Sequence, residues 1–359
     1  MRILAWPLTT PWNPYTGMVY ANLPADVQAD AWPGTPLRPY PIWHVHWPDS
    51  LLNIPNGALC AFKISGMFAM MDYLRMRGGK IIWTMHNFGA HEARHPKLER
   101  WFWRQFIPRV DGAISLSGAG LAMALERFPR LREAATTVIP HGHYRAQYPA
   151  AEGGARDRLG IPRDAKVAMF FGAVRNYKNV DGLARAFRGV ADRRAVLFVA
   201  GKPNLAELAA KIEAEAALDR RILLKFEFVA DEDVTTYLSA ADVVVLPYRD
   251  VLNSGSALLA LSCNRPVLVP ARGSMGELQA EFGEKWVRTF QGELDSATVE
   301  SALAWAMEPR PAMCPMPEKY DWRHIGEETV RFYGQVISGA QSEAGATGLM
   351  MAGDHRSSQ

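Results

Sequence analysis

A chain of 359 residues exceeds one ordinary domain and suits two compact ones. Its 48% hydrophobic and 21% charged residues match a folded, water-soluble protein and exclude disorder, fibres and a multi-span membrane architecture. The net charge of +3 hides an asymmetry: residues 1–150 hold 15 basic and 9 acidic side chains, a surplus that suits an acidic substrate or an anionic membrane surface, and equally suits plain solvation.

The opening, MRILAWPLTTPWNPYTG, has one Arg and an apolar run broken by Pro7, Pro11 and Pro14. Neither a signal peptide nor a span is expected there, and any membrane contact is expected to be peripheral. Short apolar or β-branched runs at 2–6, 42–47, 80–86, 112–116 and 137–140 predict strands, with helical patterns at 58–77, 95–106 and 118–128. From Tyr148 to Asp157, Pro, Gly and small residues cluster as in a linker. Strands are predicted again at 166–171, 195–200, 222–226, 243–247 and 266–270. This alternation is the pattern of parallel sheets built from βαβ units, so the fold class is α/β.

A Pro-rich connector at 309–317 precedes a helix at 322–338 and a Gly/Ser-rich tail. The predicted organisation is a first domain at 1–148, a second at 158–318, a segment at 319–338 that packs back on the first, and a disordered tail at 339–359. Cys60, Cys263 and Cys314 are far apart and form no Cys-x-x-Cys pair, which predicts neither disulfides nor a zinc site and fits a reducing cytoplasm.

Chemistry concentrates in a few loops. The predicted strand at 166–171 runs into Gly172-Ala-Val-Arg175-Asn-Tyr-Lys178, where a glycine allows close backbone approach and two cations three positions apart suit a diphosphate. A solvated βα loop would carry the same residues. The strand at 243–247 leads to Tyr248-Arg-Asp-Val-Leu-Asn253-Ser254-Gly255-Ser256 and an apolar helix, so free backbone N–H groups and the helix dipole offer a phosphate nest. Ser254 or Ser256 also reads as an ordinary N-cap, and the two roles are compatible.

These phrases, followed in order by DEDVTTYLSAAD, VVVLPY and NSGSALLALSCNRPVLVP, resemble the GT-B glycosyltransferases that use nucleotide-sugar donors. With HVHWPDS at 44–50, WTMHNFGAHE at 83–92 and VIPHGHY at 138–144, the chain is also similar to bacterial exopolysaccharide glycosyltransferases of the xanthan type, including β-mannosyltransferases. The resemblance implies two Rossmann-like domains with parallel sheets facing across a cleft, the donor on the C-terminal domain and the acceptor on the N-terminal one. It implies that Gly172, Arg175, Lys178, Asn253, Ser254, Gly255 and Ser256 hold the donor, with Glu227 or a neighbour reading the base. His141, Gly142 and Tyr248 are expected near the cleft. Retaining relatives carry two glutamates where Val251 and Leu259 stand here, so ribose recognition is expected to be absent or moved to Asp250, Asn253 or Glu277, and inversion is favoured.

Inversion needs a base for the acceptor hydroxyl. Asp49, Glu92 and His86 are the catalytic candidates, His86 more as an orienting group; a cap, a first-turn helix charge and a satisfied core histidine are the respective alternatives. His44 with His46, and His91 with His95, share faces at strand and helix spacing without a third ligand. Asp231-Glu232-Asp233 reads as the acidic start of a helix, and no metal or cofactor is expected. The Met- and aromatic-rich stretches 63–77 and 94–109, flanked by bases, suit a membrane interface or helices facing the core.

The expected activity moves a sugar, mannose or glucuronate, from a GDP- or UDP-sugar to a polyprenyl-diphosphate-linked oligosaccharide during exopolysaccharide synthesis. Its expected place is the cytoplasm, peripherally on the inner face of the cytoplasmic membrane, with no nucleic-acid partner. A non-catalytic nucleotide-sugar-binding partner of another transferase, or a GT-B sugar-nucleotide epimerase, are the rival readings.

Overall fold

The computed structural model describes residues 1–10, 13–33, 38–89, 94–145, 147–151, 153–249 and 252–339. The chain divides into two compact units, Met1–Pro140 joined by the segment from Trp322, and His141–Asp321.

The first unit holds strands β1 (Arg2–Trp6), β2 (Gln28–Ala31), β3 (Ile42–His46), β4 (Lys80–Met85), β5 (Gly112–Ser115) and β6 (Ala135–Val138), and helices α1 (Tyr15–Ala21), α2 (Gly57–Met76), α3 (Pro96–Phe106) and α4 (Gly118–Arg127). The strands pair in parallel in the order β2-β1-β3-β4-β5-β6. Every residue of β3 is buried, as expected where helices cover both faces of a parallel sheet. Period-two alternation sends Trp43, Val45, Ile81 and Trp83 to a core beneath α2 and α3, and Ile42, Ile82 and Ile114 to the opposite one.

The second unit contains α5 (Ala155–Arg158), β7 (Lys166–Phe171), α6 (Val180–Arg188), β8 (Ala195–Ala200), α7 (Ala206–Ala217), β9 (Ile222–Lys225), α8 (Val234–Ala240), β10 (Val243–Val245), α9 (Gly255–Ser262), β11 (Val267–Pro270), α10 (Met275–Phe282), β12 (Val287–Phe290) and α11 (Ser296–Ala306). Its parallel order, β12-β11-β10-β7-β8-β9, is the dinucleotide-binding order, with its reversal between β7 and β10. In the first unit the reversal lies between β1 and β3, the other common doubly wound arrangement.

The domain boundary differs from the expected 148–158 linker. The Tyr144 N–H donates to Ser262 Oγ at 2.8 Å, and Arg145 hydrogen-bonds Asn264 at 3.3 Å, so the chain already belongs to the second unit from His141. Within the supposed linker, Arg156 forms a two-pronged pair with Asp242 at 2.8 Å and also donates to three backbone carbonyls. Pro and Gly marked a loop there, and loops need not divide domains. At the other end the second unit runs to Asp321, past the expected 318, and residues 340–359 of the expected tail lie outside the described residues.

Two strands, β2 and β12, were not predicted. Both stand at sheet edges; β2 is nowhere buried, and β12 is buried only at its two ends, so neither shows a continuous apolar run. β6 begins two residues earlier than predicted because Ala135–Val138 pairs with Gly112–Ser115, and Pro140 has no N–H to extend a ladder.

Helix α12 (Trp322–Ser338) covers the Ile42 face of the first sheet with Ile325, Phe332, Tyr333 and Val336. Its approach requires Gly326, where an added Cβ would lie 2.1 Å from the Asn22 carbonyl oxygen after α1. Gly326→Ala is expected to destabilise the protein by about 1–3 kcal/mol through overpacking, read as a lowered thermal midpoint. Gly334→Ala on the same helix, where nothing lies within 4 Å, is the control expected to leave the midpoint unlowered.

Candidate functional site

In open parallel sheets, ligands bind outside the carboxyl ends of the strands where the order reverses. In the second unit that place is formed by the loops after β7 and β10. Gly172 has φ +119°, and a Cβ there would come within 3.2 Å of Ser256 Oγ and 3.6 Å of Lys178 Nζ. The glycine therefore keeps open the point where the two loops converge. Ser254 caps α9, accepting from the Ala257 N–H at 3.2 Å. Burial raises the pKa of the Tyr248 hydroxyl, and the neighbouring Ser254 and Ser256 oppose this, so hydroxyls gather at the N-terminus of α9.

Lys178 is the unusual member. Its side chain is buried, with Nζ 5.8 Å from the Phe170 ring centre and 5.6 Å from that of Tyr248. Among the described residues no carboxylate lies within ion-pair distance of it. Burial pulls its ammonium below the ordinary lysine range, Tyr177 opposes the shift and Arg175 adds to it. A buried cation faced by two aromatic rings and no anion calls for a negatively charged ligand. Arg175 is half-buried and its guanidinium donates to the Val174 carbonyl at 3.4 Å. The Asn253 amide nitrogen is buried with no partner among the described residues.

His141 and Tyr144 pack beside Gly255, where a Cβ would lie 3.1 Å from the Tyr144 hydroxyl and 3.5 Å from His141 Nε2. His141 Nδ1 donates to the Gly142 carbonyl at 2.8 Å, and burial pushes its pKa down to about 4, against that bond. Glu227 stands apart: it is exposed, 3.2 Å from Lys225 Nζ, and accepts from the Tyr237 hydroxyl at 3.4 Å. Leu259 is packed in the apolar core, and Glu277 is exposed in the first turn of α10 near Tyr320. Asp250 and Val251 lie outside the described residues.

In the first unit, Asp49 sits on the short 3-10 helix that follows β3 and is 3% exposed. Burial pushes its carboxyl up to about 7; the bond from its own backbone N–H opposes this, and the nearby Glu99 adds to it. His86, half-buried at the end of β4, stacks on Trp47 at 4.1 Å and meets the edge of Tyr15 at 4.8 Å. Its Nε2 lies 3.1 Å from His46 Nδ1, while His44 has Tyr333 and Thr84 hydroxyls 2.7 Å from its two nitrogens. His44 is thus a satisfied core histidine. Glu92 and His91 lie outside the described residues, and His95 donates to the Ile54 carbonyl at 2.8 Å.

Asp231, Glu232 and Asp233 are exposed immediately before α8, with Asp233 at its N-cap position and making no side-chain cap hydrogen bond. Of the two expected membrane stretches, 94–109 turns its aromatic face inward: Phe102, Trp103 and Phe106 are buried in α3, Lys97, Arg100 and Arg104 are exposed, and Arg109 pairs with Asp72 at 2.8 Å. Helix α2 instead presents Leu59, Phe62, Tyr73 and Met76 outward, 45%, 75%, 38% and 79% exposed, with Lys63 and Arg77 beside them. No helix among the described residues is long and apolar enough to cross a membrane.

Sequence reasoning missed Tyr15, Tyr20, Trp47, Glu99 and Tyr144. Trp47 and Tyr144 stand in phrases already singled out; Tyr15, Tyr20 and Glu99 carry no spacing that marks them, because only the fold brings α1 and α3 to the ends of β3 and β4.

Two doubly wound α/β units, one with a buried lysine and a glycine-opened pair of loops at its reversal point, have the architecture of the GT-B glycosyltransferases. Residues 165–289 match the family described as glycosyl transferases group 1. Over 327 residues the chain is 31% identical to the GDP-mannose:glycolipid 4-beta-D-mannosyltransferase of Xanthomonas campestris pv. campestris, covering 90% of this chain and 89% of that one. The fold is similar to Anabaena HepE in complex with UDP-glucose (TM-score 0.60, 13% identity, 94% of this chain and 98% of that one). It is likewise similar to sucrose-phosphate synthase from Thermosynechococcus elongatus (TM-score 0.60, 18% identity, 84% and 75%). The chain belongs to the group 1 glycosyltransferases, with a GT-B fold.

Lys178→Met, which keeps the side-chain length and removes the unpaired buried charge, is expected to raise stability by about 1–2 kcal/mol in urea unfolding. A destabilised variant would show that the ammonium is compensated.

Proposed function

We propose that this glycosyltransferase moves mannose from GDP-mannose to a polyprenyl-diphosphate-linked oligosaccharide in exopolysaccharide synthesis, with inversion and without a metal ion. The observation that carries the reading is the buried Lys178, with no carboxylate within ion-pair distance among the described residues, close to Arg175 and the Ser254–Ser256 hydroxyls. The mannosyl donor, glycolipid acceptor and β-linkage are supported by the name of the Xanthomonas relative. Transfer from an α-linked donor to a β-linked product inverts the anomeric carbon in one displacement.

In that step the acceptor hydroxyl oxygen bonds to the anomeric carbon as the bond to the diphosphate oxygen breaks. Asp49 takes the hydroxyl proton. Lys178, Arg175 and the N-terminus of α9 receive the negative charge that builds on the departing GDP, the work a divalent ion does elsewhere. A base is most effective when its pKa lies near the working pH, and burial gives Asp49 that property. The lipid-linked acceptor is met at the cytoplasmic membrane surface by the outer face of α2, whose exposed apolar residues enter the headgroup zone while Lys63 and Arg77 meet anionic lipid.

Incubation with GDP-mannose, UDP-glucuronate and a lipid-linked acceptor tests the reading; mannosyl transfer that survives a chelator is expected. Free sugar released without any acceptor, or nucleotide binding with no turnover, would reject it. Asp49→Asn is expected to lower kcat about 100-fold or more, and the wild-type rate should fall on the acid side of about pH 7. The same carboxyl holds its proton in the folded state above its ordinary 3.8, so wild-type stability should decline relative to Asp49→Asn as pH rises from about 4 to about 7. Phe62→Glu with Met76→Glu is expected to abolish co-sedimentation with anionic vesicles; undiminished binding would exclude α2 as the membrane contact.

A further inference from the structure

The second unit carries a group of arginines that the proposed transfer does not use, at the end of the sheet opposite the loops after β7 and β10. Arg265 stands just before β11, Arg288 lies near the start of β12, and Arg310 follows α11. The guanidinium carbon of Arg288 is 5.0 Å from the ring centre of Trp305, and that of Arg310 is 5.1 Å from the same ring and 5.9 Å from that of Trp286. Both indoles are buried and all three arginines are half-buried. Two cations thus share one aromatic ring, which attracts each of them while they repel one another.

Arg310 is held by backbone. It donates to the carbonyls of Trp305 at 2.7 Å, Ala306 at 3.0 Å and Lys285 at 3.3 Å, and so closes the end of α11. Arg265 and Arg288 have no such outlet. Among the described residues neither side chain makes a hydrogen bond or has a carboxylate within ion-pair distance, and Nε of Arg265 is buried without a partner. The acid that bears most on Arg265 is Asp242, which already accepts twice from Arg156 at 2.8 Å and from the Val167 N–H at 2.7 Å. Burial holds the Arg310 guanidinium below the ordinary arginine range; the exposed Glu308 and then Asp242 oppose this, and Arg265 and Arg288 add to it. Positive charge is therefore in excess here.

We propose that Arg265, Arg288 and Arg310 form a second anion site, for a phosphate-bearing ligand, at the amino end of the second sheet. A guanidinium held over an indole keeps its planar N–H fork for an oxyanion and loses little freedom on binding one. Phosphate suits the excess better than a carboxylate does, because a phosphate monoester carries about 1.5–2 negative charges at neutral pH and three acceptor oxygens. The site is separate from Lys178 and does not depend on the glycosyl-transfer reading.

The test is equilibrium dialysis against radiolabelled inorganic pyrophosphate at constant ionic strength. It uses Lys178→Met protein, so that occupancy of the pocket after β7 is not mistaken for the new site. Retained pyrophosphate is expected, with affinity lowered about tenfold or more by Arg265→Gln together with Arg288→Gln. Arg310 is left in place because it closes α11, and circular dichroism checks the folding of each variant. Glu308→Gln, which removes the opposing charge, should tighten binding about two- to threefold, a gain that misfolding would not produce. Soluble phosphates and lipid headgroups share this chemistry, and vesicles distinguish them in protein that also carries Phe62→Glu and Met76→Glu. Capture by phosphatidylglycerol but not phosphatidylcholine vesicles, lost with Arg265→Gln and Arg288→Gln, assigns the site to a headgroup; pyrophosphate binding without capture assigns it to a soluble ligand. Lys178→Met protein that retains no pyrophosphate, or whose affinity is unmoved by the paired glutamines, overturns the proposal.

Discussion

A cation buried with no carboxylate within ion-pair distance among the described residues governs the second unit. Lys178 is placed by the turn that follows β7, and its ammonium rests against Phe170 and Tyr248. Aromatic faces offset only part of the lost hydration, so the folded protein retains an unmet preference for negative charge at the sheet reversal. Around that preference the loop chemistry becomes intelligible: glycine at 172 to leave space, serines at 254 and 256 to donate, and a helix start aimed the same way. The arrangement is preorganised, and preorganised dipoles and charges need no rearrangement when charge develops during reaction.

The first unit meets the opposite requirement with the opposite device. Burial raises a carboxyl just after β3 to about 7, and the carboxyl of Glu99 reinforces the effect. Low polarity around Asp49 and around Lys178 thus does equivalent work on groups of opposite sign, raising one pKa and lowering the other. Both groups are poised closer to neutrality than their free counterparts, as groups that must gain or lose a proton, or meet a charge, are expected to be.

Much of this was readable from residues alone, and the limits have physical causes. Buried strands such as β7, β8 and β11 announce themselves as uninterrupted apolar runs because helices cover both their faces. Edge strands such as Gln28–Ala31 do not. The convergence of the loops at Gly172–Lys178 and Ser254–Ser256 was half readable, because each loop is contiguous in sequence, while their meeting depends on the strand order. The imidazole and phenol cluster was only half visible: alternation placed His44 and His46 on one face, but Tyr20 and Tyr333 join them through the packing of α1 and α12, contacts 26 and 289 positions apart for two of the hydrogen bonds. Composition likewise misplaced the domain boundary, since the segment from Tyr144 to Arg158 owes its place to Ser262 and Asp242, far along the chain.

The return of α12 to the first unit makes the second an insertion between Pro140 and Trp322. During synthesis the ribosome delivers all of β1 to β6, then an entire self-contained body, and only then the helix that shields Ile42, Ile82 and Ile114 from water and brings the Tyr333 hydroxyl to His44. The earlier unit therefore waits half-covered while the later one matures, and its exposed greasy sheet is the surface a nascent-chain chaperone would grasp. The turns of α12 are the ones that close it.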